Sequence, residues 1–599
     1  RRRMSIAFDF DDFSSLAGPD YELIETYNQD DCLATAVLHD FTESVYREQL
    51  AAGSGLTRPV ESAGDAPDHV AEEEERARIL FEKLVNDLPG DPSEWTDEER
   101  AKWLLAHQVD YYRREMRSAW WEYYRLHEME PGDLLEERKG IAGLRFVCEV
   151  PAKGKTPVHR YSFPAQEISM EEGNELCEPL GEKIGSIHAF SLENRTVDIK
   201  KTGKTSGIHP YAVFIREIVQ PGVLIPSLLS FVGSVVQDGI DGDGAYRAGR
   251  DLLLKKPPRM SAGVGFGIRE EENIEAAALR NVLALENGIL PVQGPPGTGK
   301  TYLGAGLIAE LVKRGKRVGV TAVSHKVIQN LLDKAAERGR EKGIEVRIRH
   351  KGKQGAELSK PDPVFVEKKE DALFALKLGC VVGGTAWLWA DNLFEGQLDY
   401  LFVDEAGQMS LTHVLTVSRA AGNLVLLGDP RQLEQPRKGA HPEGADISAL
   451  EHILDGRQTM PPEKGLFLGT TWRLHPLITR FTSTLYYEGR LSSRSGLENQ
   501  RLVGNTPFSG SGLFYVAVDH FGNQSQSPEE ASAIMKMVRH LLNSGISWID
   551  SEGLSHELRA KDILVVAPYN AQVSLLRQSI PGIAIGTVDK FQGQEAPVV

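Results

Sequence analysis

Residues Gly294-Pro295-Pro296-Gly297-Thr298-Gly299-Lys300-Thr301 spell GPPGTGKT, and their reading decides the fold. The apolar run 288–293 ahead of them predicts a strand, and 302–313 behind them carries helical spacing. A glycine-rich turn between strand and helix lets successive backbone N–H groups curl around phosphate oxygens at a helix N-terminus. In that arrangement Lys300 reaches the β- and γ-phosphates and the Thr301 hydroxyl binds Mg²⁺. Every specified position of the pattern is present in the required strand–loop–helix context. The sequence therefore implies a bound nucleoside triphosphate with Mg²⁺, but the loop alone does not say what its energy drives.

Working outward, short apolar runs bounded by turn residues recur at 290–293, 317–322, 380–383, 401–404 and 424–428, then at 513–518, 563–567 and 583–587. Such runs suit parallel strands buried on both faces. Their two groups predict an α/β chain with two tandem doubly wound parallel-sheet domains, over 266–457 and 458–599. Upstream, short β-like runs separated by Gly, Pro and Lys predict a small β-barrel, assigned 144–265. Residues 72–143 are charged and aromatic with helical spacing and read as a stalk. The Gly/Ser/Pro/Ala-rich stretch 51–71 reads as a linker, and 1–50 ends in an amphipathic helical pattern.

At 599 residues, with 41% hydrophobic and 26% charged residues, the chain has room for several ordinary globular domains. No apolar run approaches the roughly 20 residues of a membrane span, which points to a cytoplasmic protein. Cys32, Cys148, Cys177 and Cys380 are scattered, without a CxxC pair, and read as reduced thiols. The net charge of −17 speaks against non-specific nucleic-acid binding but leaves a locally positive channel open. Basic stretches at 313–317 and 338–353 read as solvated helix faces or parts of such a channel. The chain starts at Arg1 inside an apparently structured segment and stops at Val599 as a strand begins, so it reads as a piece of a longer protein.

Asp404-Glu405-Ala406-Gly407-Gln408 follows the apolar run 400–403. Beside a phosphate loop, Asp404 is placed to hold Mg²⁺ and Glu405 to orient and deprotonate the attacking water. Gly428-Asp429-Pro430-Arg431-Gln432 follows the next strand, with Gln432 a candidate partner of the γ-phosphate or its water.

These motifs in this order resemble superfamily 1 helicases. Thr321-Ala322-Val323-Ser324-His325-Lys326 and Gly383-Gly384-Thr385 look like two turns that touch the nucleic-acid backbone, which implies Ser324, His325, Gly384 and Thr385 as strand contacts. Thr471-Trp472-Arg473-Leu474-His475-Pro476 resembles the motif that sends an arginine, here Arg473, from the second RecA-like domain to the γ-phosphate. The runs 566–572 and 586–595 resemble later motifs, implying strand contacts at Pro568 and Thr587 and a link to the nucleotide at Glu595. The resemblance is close to the branch holding the nonsense-mediated decay helicase and the nuclease-helicases of Okazaki-fragment processing. In that branch a stalk and small barrel precede the first RecA-like domain, and translocation usually runs 5′ to 3′.

The adenine-reading glutamine of the family is not evident in 273–279, while Trp472 is a candidate base-stacking residue where many relatives carry tyrosine. The last helicase motif, with a second arginine, is not reached, which implies ATP–Mg²⁺ binding with poor hydrolysis. Tyr27-Asn28-Gln29-Asp30-Asp31-Cys32 fits the Tyr-x-x-x-Asp element of RNase H-like 3′–5′ exonucleases, where Asp31 would bind a metal. The whole then resembles bacterial RecB-like nuclease/helicase fusions of DNA repair or processing. Earlier acidic motifs are missing, so this chain is not expected to cut DNA. Four readings stay open: a DNA helicase, an RNA helicase, a nucleotide-switched clamp that binds a strand without unwinding it, and a nuclease whose helicase part only feeds it substrate.

Overall fold

The computed structural model describes residues 18–53, 68–130, 132–152, 156–166, 168–192, 194–352, 365–433, 437–442, 444–591 and 593–599. It divides into two units, Arg1–Ala71 and Glu72–Val599. In the first, one helix spans Gly18–Ala51 and leaves Leu33, Val37, Leu38 and Phe41 exposed. Tyr27 and Asp31 fall within this helix, but their side chains lie outside the described residues.

In the second unit, seven antiparallel strands come first: β1 (Gly140–Ala142), β2 (Arg145–Val150), β3 (Val158–Ser162), β4 (Glu175–Cys177), β5 (Lys183–Ser191), β6 (Thr196–Lys201) and β7 (Ala212–Ile215). Their order is β1-β7-β4-β5-β6-β3-β2. The two ends of that order are neighbours in the chain, joined through Gly143 at φ 71° and Leu144. One bent strand thus pairs with β7 at its start and with β3 further on, curling the sheet around Ile141, Tyr161, Leu176, Ile187, Val197 and Val213. Gly143 permits the bend, since an added Cβ would meet the Pro164 ring at 2.8 Å.

The expected boundaries of this region need correction. Strands occupy 140–215 only, starting inside the expected stalk. Beyond them, helices Leu224–Asp238 and Arg247–Leu253 bury Leu228, Phe231, Val232 and Leu252 in the core under the parallel sheet. The sequence places them in the expected barrel, 144–265, yet their 3.6-residue apolar spacing suits the sheet face they cover.

The parallel sheet is built from β8 (Ile289–Gln293), β9 (Val318–Thr321), β10 (Ile348–Lys351), β11 (Phe365–Val366), β12 (Val381–Gly383), β13 (Leu398–Val403), β14 (Ala421–Gly428) and β15 (Leu466–Phe467). The order is β11-β10-β12-β9-β13-β14-β8-β15, with every pair parallel. Side chains of β13 and β14 alternate between two cores. Leu401, Val403, Leu424 and Leu426 enter one, and Tyr400, Phe402, Val425 and Leu427 enter the other. That alternation, with both faces covered, is why these strands are continuously apolar.

Helices Ile274–Leu283, Lys300–Lys313 and His325–Glu341 cover one face. The other face is covered by Leu411–Val417, Ala449–Leu454 and the two helices after β7. Helices Asp97–Gln108 and Tyr111–Glu128 reach it too, through Leu104, Leu105, Tyr111 and Tyr112. The Tyr112 hydroxyl lies 3.0 Å from Thr416 Oγ1, and the Gln108 amide donates to the Ala445 carbonyl at 3.0 Å. The expected stalk is therefore rooted in the first α/β core.

The remaining strands are β16 (Thr470–Thr471), β17 (Ser492–Ser493), β18 (Arg501–Val503), β19 (Ser547–Ile549), β20 (Ser555–Glu557), β21 (Leu564–Val566) and β22 (Ala584–Gly586). β16–β17 and β21–β22 are parallel pairs, and β18-β19-β20 is an antiparallel sheet. Helices Pro528–Asn543 and Asn570–Ser579 pack with them around Val538, Leu541, Val565 and Leu576. The strand expected at 513–518 does not form: Leu513, Phe514, Tyr515 and Val516 are exposed, with no strand partner among the described residues. The sequence supplies apolar β-prone residues there, but a strand also needs a neighbour to bond.

Candidate nucleotide site

The phosphate loop follows β8, as its sequence requires. Gly297 and Gly299 take φ of 74° and 83°, and helix Lys300–Lys313 starts directly after them. Those left-handed turns wrap the loop, which Cβ-bearing residues resist. Thr298 Oγ1 donates to the Pro295 carbonyl at 2.7 Å, and the Gly294 N–H donates to Gly428 across the sheet at 2.9 Å. The Lys300 ammonium folds back to the Gly294 carbonyl at 2.6 Å, a contact that an incoming phosphate would replace.

Asp404 lies at the end of β13, next to β9 and β14, with its backbone N–H on the Thr321 carbonyl at 2.9 Å. Its carboxyl is buried, and that burial, with Glu405 beside it, pushes its pKa up to about 7 against the pull of Lys300. Glu405 adopts φ 52°, unusual for a residue with a Cβ. Glu405 Oε2, Gln408 Nε2 and Thr321 Oγ1 are buried without a hydrogen-bond partner among the described residues. Unsatisfied polar groups beside a buried carboxylate whose charge Lys300 only partly offsets fit a hydrated Mg²⁺ and a γ-phosphate. Asp404 and Thr301 would hold the ion, and Lys300 the phosphates.

The raised pKa has a consequence for stability. An aspartate in the unfolded chain ionises near 4, whereas native Asp404 keeps its proton to about 7. The native state holds the extra proton in that window, so this group's contribution to stability falls as pH rises through it. Metal-free Asp404→Asn is expected to melt above the wild type by about 2 °C or more near pH ~8, with the gap closing near pH ~5. Scanning calorimetry in chelator checks this, and equal melting at the higher pH would contradict it.

Asp429, buried after β14, joins several segments. Tyr487 Oη donates to its Oδ2 at 2.7 Å, Gln432 Nε2 to the same oxygen at 3.2 Å, and the Arg431 N–H to Oδ1 at 3.2 Å. Gln293 lies at its other side (Nε2 to Oδ1, 3.4 Å), and accepts the Met460 N–H at 2.7 Å. Gln432 is thus anchored beside the site. No role is assigned to Gln293, Asp429 or Tyr487 from the sequence, where the motif after β14 contributes Gln432 alone.

The segment carrying Arg473 is strapped onto the phosphate loop. The Trp472 N–H donates to the Gly297 carbonyl at 2.8 Å, and Thr471 Oγ1 to the Pro296 carbonyl at 3.0 Å. A Cβ on Gly297 would meet Arg473 Cβ at 2.5 Å and Thr471 Oγ1 at 2.7 Å, so glycine is required for this close approach. Gly297→Ala is therefore expected to weaken binding of a fluorescent ATP analogue by roughly tenfold or more, through strain of about 1–3 kcal/mol at the loop; unchanged affinity would contradict the strap. Arg473 Nε pairs with the Glu595 carboxylate, joining two sequence-predicted residues 122 positions apart. Trp472 is exposed, with the Arg494 guanidinium 4.7 Å from its ring centroid.

The expected strand contacts fall into two groups. Ser324 caps helix His325–Glu341 by accepting the Val327 N–H at 3.3 Å, and Gly384 donates its N–H to Val320 at 3.0 Å. With His325 and Thr385 they sit in the turns after β9 and β12, neighbouring parallel strands. Pro568 and Thr587 sit after β21 and β22, which also pair in parallel.

Residues 275–445 and 445–599 each match a family described as an AAA domain. The chain is 25% identical over 366 residues to DNA polymerase alpha-associated DNA helicase A of Schizosaccharomyces pombe, covering 51% of this chain and 54% of that protein. It is 25% identical over 353 residues to DNA replication ATP-dependent helicase/nuclease JHS1 of Arabidopsis thaliana, covering 54% of this chain and 25% of that one. Putative helicase mov-10-B.1 of Danio rerio is 26% identical over 56% of this chain and 37% of its own. The chain thus spans between a quarter and about half of these relatives. A solved arterivirus nonstructural protein 10 (helicase) with DNA overlaps at a TM-score of 0.27 and 12% identity, over 52% of this chain and 62% of that one, too loosely to inform the fold. Residues 275–599 are thus similar to AAA domains, and the relatives that share them are named as helicases, one of them as ATP-dependent. Among the described residues no helix is long and apolar enough to cross a membrane.

Proposed function

We propose that this chain is the motor of an ATP-dependent helicase or translocase acting on single-stranded nucleic acid, DNA in preference to RNA, moving 5′ to 3′. The observation that carries this reading is the strap of 471–473 across the phosphate loop. It brings Arg473 to the site that Lys300, Thr301, Asp404 and Glu405 build from the parallel sheet. An ATP that draws on both walls links hydrolysis to movement of the second domain against the first, and so to a strand lying across both. The curled sheet of β1–β7 on its helical root is read as the barrel and stalk of this motor.

DNA rests on a relative named as a DNA helicase and on one, from Arabidopsis thaliana, named a DNA replication helicase/nuclease. That fits a nuclease-helicase fusion in DNA processing, with Asp31 a remnant of the nuclease metal site. ATP hydrolysis measured with matched DNA and RNA oligonucleotides tests the preference. Stronger stimulation by DNA is expected, and stronger stimulation by RNA would make this an RNA helicase. Displacement from duplexes with a 5′ or a 3′ tail tests polarity. Strand binding that changes with nucleotide but never separates a duplex would leave a switched clamp.

A further inference from the structure

Beyond the nucleotide site, the C-terminal edge of the same parallel sheet carries a second concavity. The ATP-site residues follow β8, β13 and β14. The turns after β9, β12 and β10, adjacent strands in register (Ile348 beside Val381, Val382 beside Gly319), lead instead to a cavity of about 700 Å³. His325, Lys351, Lys369, Thr385, Trp387 and Asp391 are among the residues lining it. Ligands of open α/β sheets gather at this edge.

Trp387 is the unusual member. Two residues on, Trp389 is buried in the core, with its indole N–H on the Val320 and Gly384 carbonyls. Trp387 instead keeps 38% of its surface open. Its indole N–H donates to the Gln220 carbonyl at 3.1 Å and its ring centroid lies 6.4 Å from that of the half-buried His413, so the hydrogen bond holds it in place rather than leaving it free to turn. A large aromatic held still at a cavity wall is a preformed stacking surface.

The charges beside it are unequal. Lys369 is neutralised by Asp391 at 2.7 Å, whereas no ion pair is made by Lys351 among the described residues. His325 shares a hydrogen bond with the buried His350 (2.9 Å), which in turn bonds Gln329 Oε1 at 2.8 Å, and burial lowers the pKa of both imidazoles. Glu367 lines the cavity as well, so its wall carries both signs of charge; among the described residues Lys351 is a lining cation that makes no ion pair, and beside the Trp387 face it can meet one phosphate while the ring meets one base.

We infer that this cavity takes a single nucleotide of the bound strand, its base stacked on Trp387 and its phosphate facing Lys351. The inference rests on the strand-binding reading above and adds two residues that none of the helicase-like motifs contains. Stacking of one base contributes enough to change affinity roughly tenfold or more, whatever the base.

The test is anisotropy of a labelled thymidine oligonucleotide and of an abasic strand of the same length. Trp387→Ala is expected to weaken the base-bearing strand roughly tenfold or more, Trp387→Phe to recover most of that, and neither to change abasic binding. Lys351→Ala is expected to reduce the salt dependence by roughly one counterion. Unfolding temperatures of the variants report any loss of fold. Wild-type affinity of Trp387→Ala for the base-bearing strand would overturn the inference, as would an equal loss on the abasic strand, which would mark the tryptophan as structural. A wild-type protein that binds neither strand would instead sink the strand-binding reading, and this inference with it.

Discussion

Glu405→Gln is expected to leave ATP–Mg²⁺ bound while single-turnover hydrolysis falls by roughly 10²–10⁴-fold, the range typical of a lost general base. The glutamine keeps the volume and hydrogen-bonding reach of the glutamate but cannot take a proton from water. Glu405 holds φ 52° and a buried Oε2 without a hydrogen-bond partner among the described residues, both unfavourable unless the surroundings fix them. Its neighbour Asp404, just past the end of β13, is buried and has its N–H committed to Thr321, so the two carboxylates occupy different environments. That division suits one metal ligand and one base. Rapid-quench measurement of labelled phosphate release checks the rate, and a fluorescent ATP analogue checks binding. Hydrolysis at the wild-type rate would remove Glu405 from the chemistry.

Arg473→Ala is expected to lower hydrolysis by roughly 10³-fold or more, with a smaller effect on ATP affinity, because an arginine opposite the γ-phosphate acts mainly on charge developing in the transition state. Arg473→Lys should recover little, since an ammonium lacks the planar fork that spans phosphate oxygens. In the present arrangement the guanidinium is held by Glu595. On the proposed reading a γ-phosphate would compete with that carboxylate, and the ion pair would be the ground-state partner that nucleotide displaces. Glu595→Gln is therefore expected to alter ATP affinity more than the hydrolysis step. If Arg473→Ala lost affinity and rate in equal measure, the arginine would be a ground-state ligand.

Much of the first α/β domain was legible in the sequence because its physics is local. The runs around 290–293, 401–404 and 424–428 are apolar because β8, β13 and β14 are covered on both faces, and acidic or glycine-rich turns end them. β10 was missed because Ile348-Arg349-His350-Lys351 reads as part of a basic surface. Within 338–352 the residues up to Glu341 end a helix and Ile348–Lys351 form this strand, towards the margin of the sheet, where polar residues are tolerated. The helices 224–238 and 247–253 were misassigned because strand-like and helix-like apolar runs of that length look alike until their partner surface is known. Segment 513–518 shows the converse, a strand-like composition that makes no strand pairing.

The same distinction applies to the site. Lys300, Thr301, Asp404 and Glu405 announce themselves through spacing next to strands. Arg473 entered through its motif, but its contact with Gly297 is a long-range approach that only the fold reveals. Asp429 and Tyr487 are joined across 58 positions by one hydrogen bond, a relation with no local signature.

The central claim is that ATP chemistry at this site is linked to a single strand. Its most direct test is single-turnover ATP hydrolysis by wild-type protein and Glu405→Gln, each with and without a single-stranded oligonucleotide. The account predicts that the strand accelerates the wild type and that the acceleration disappears in Glu405→Gln. A wild-type rate indifferent to the strand, or an acceleration that survives loss of the carboxylate, would contradict it.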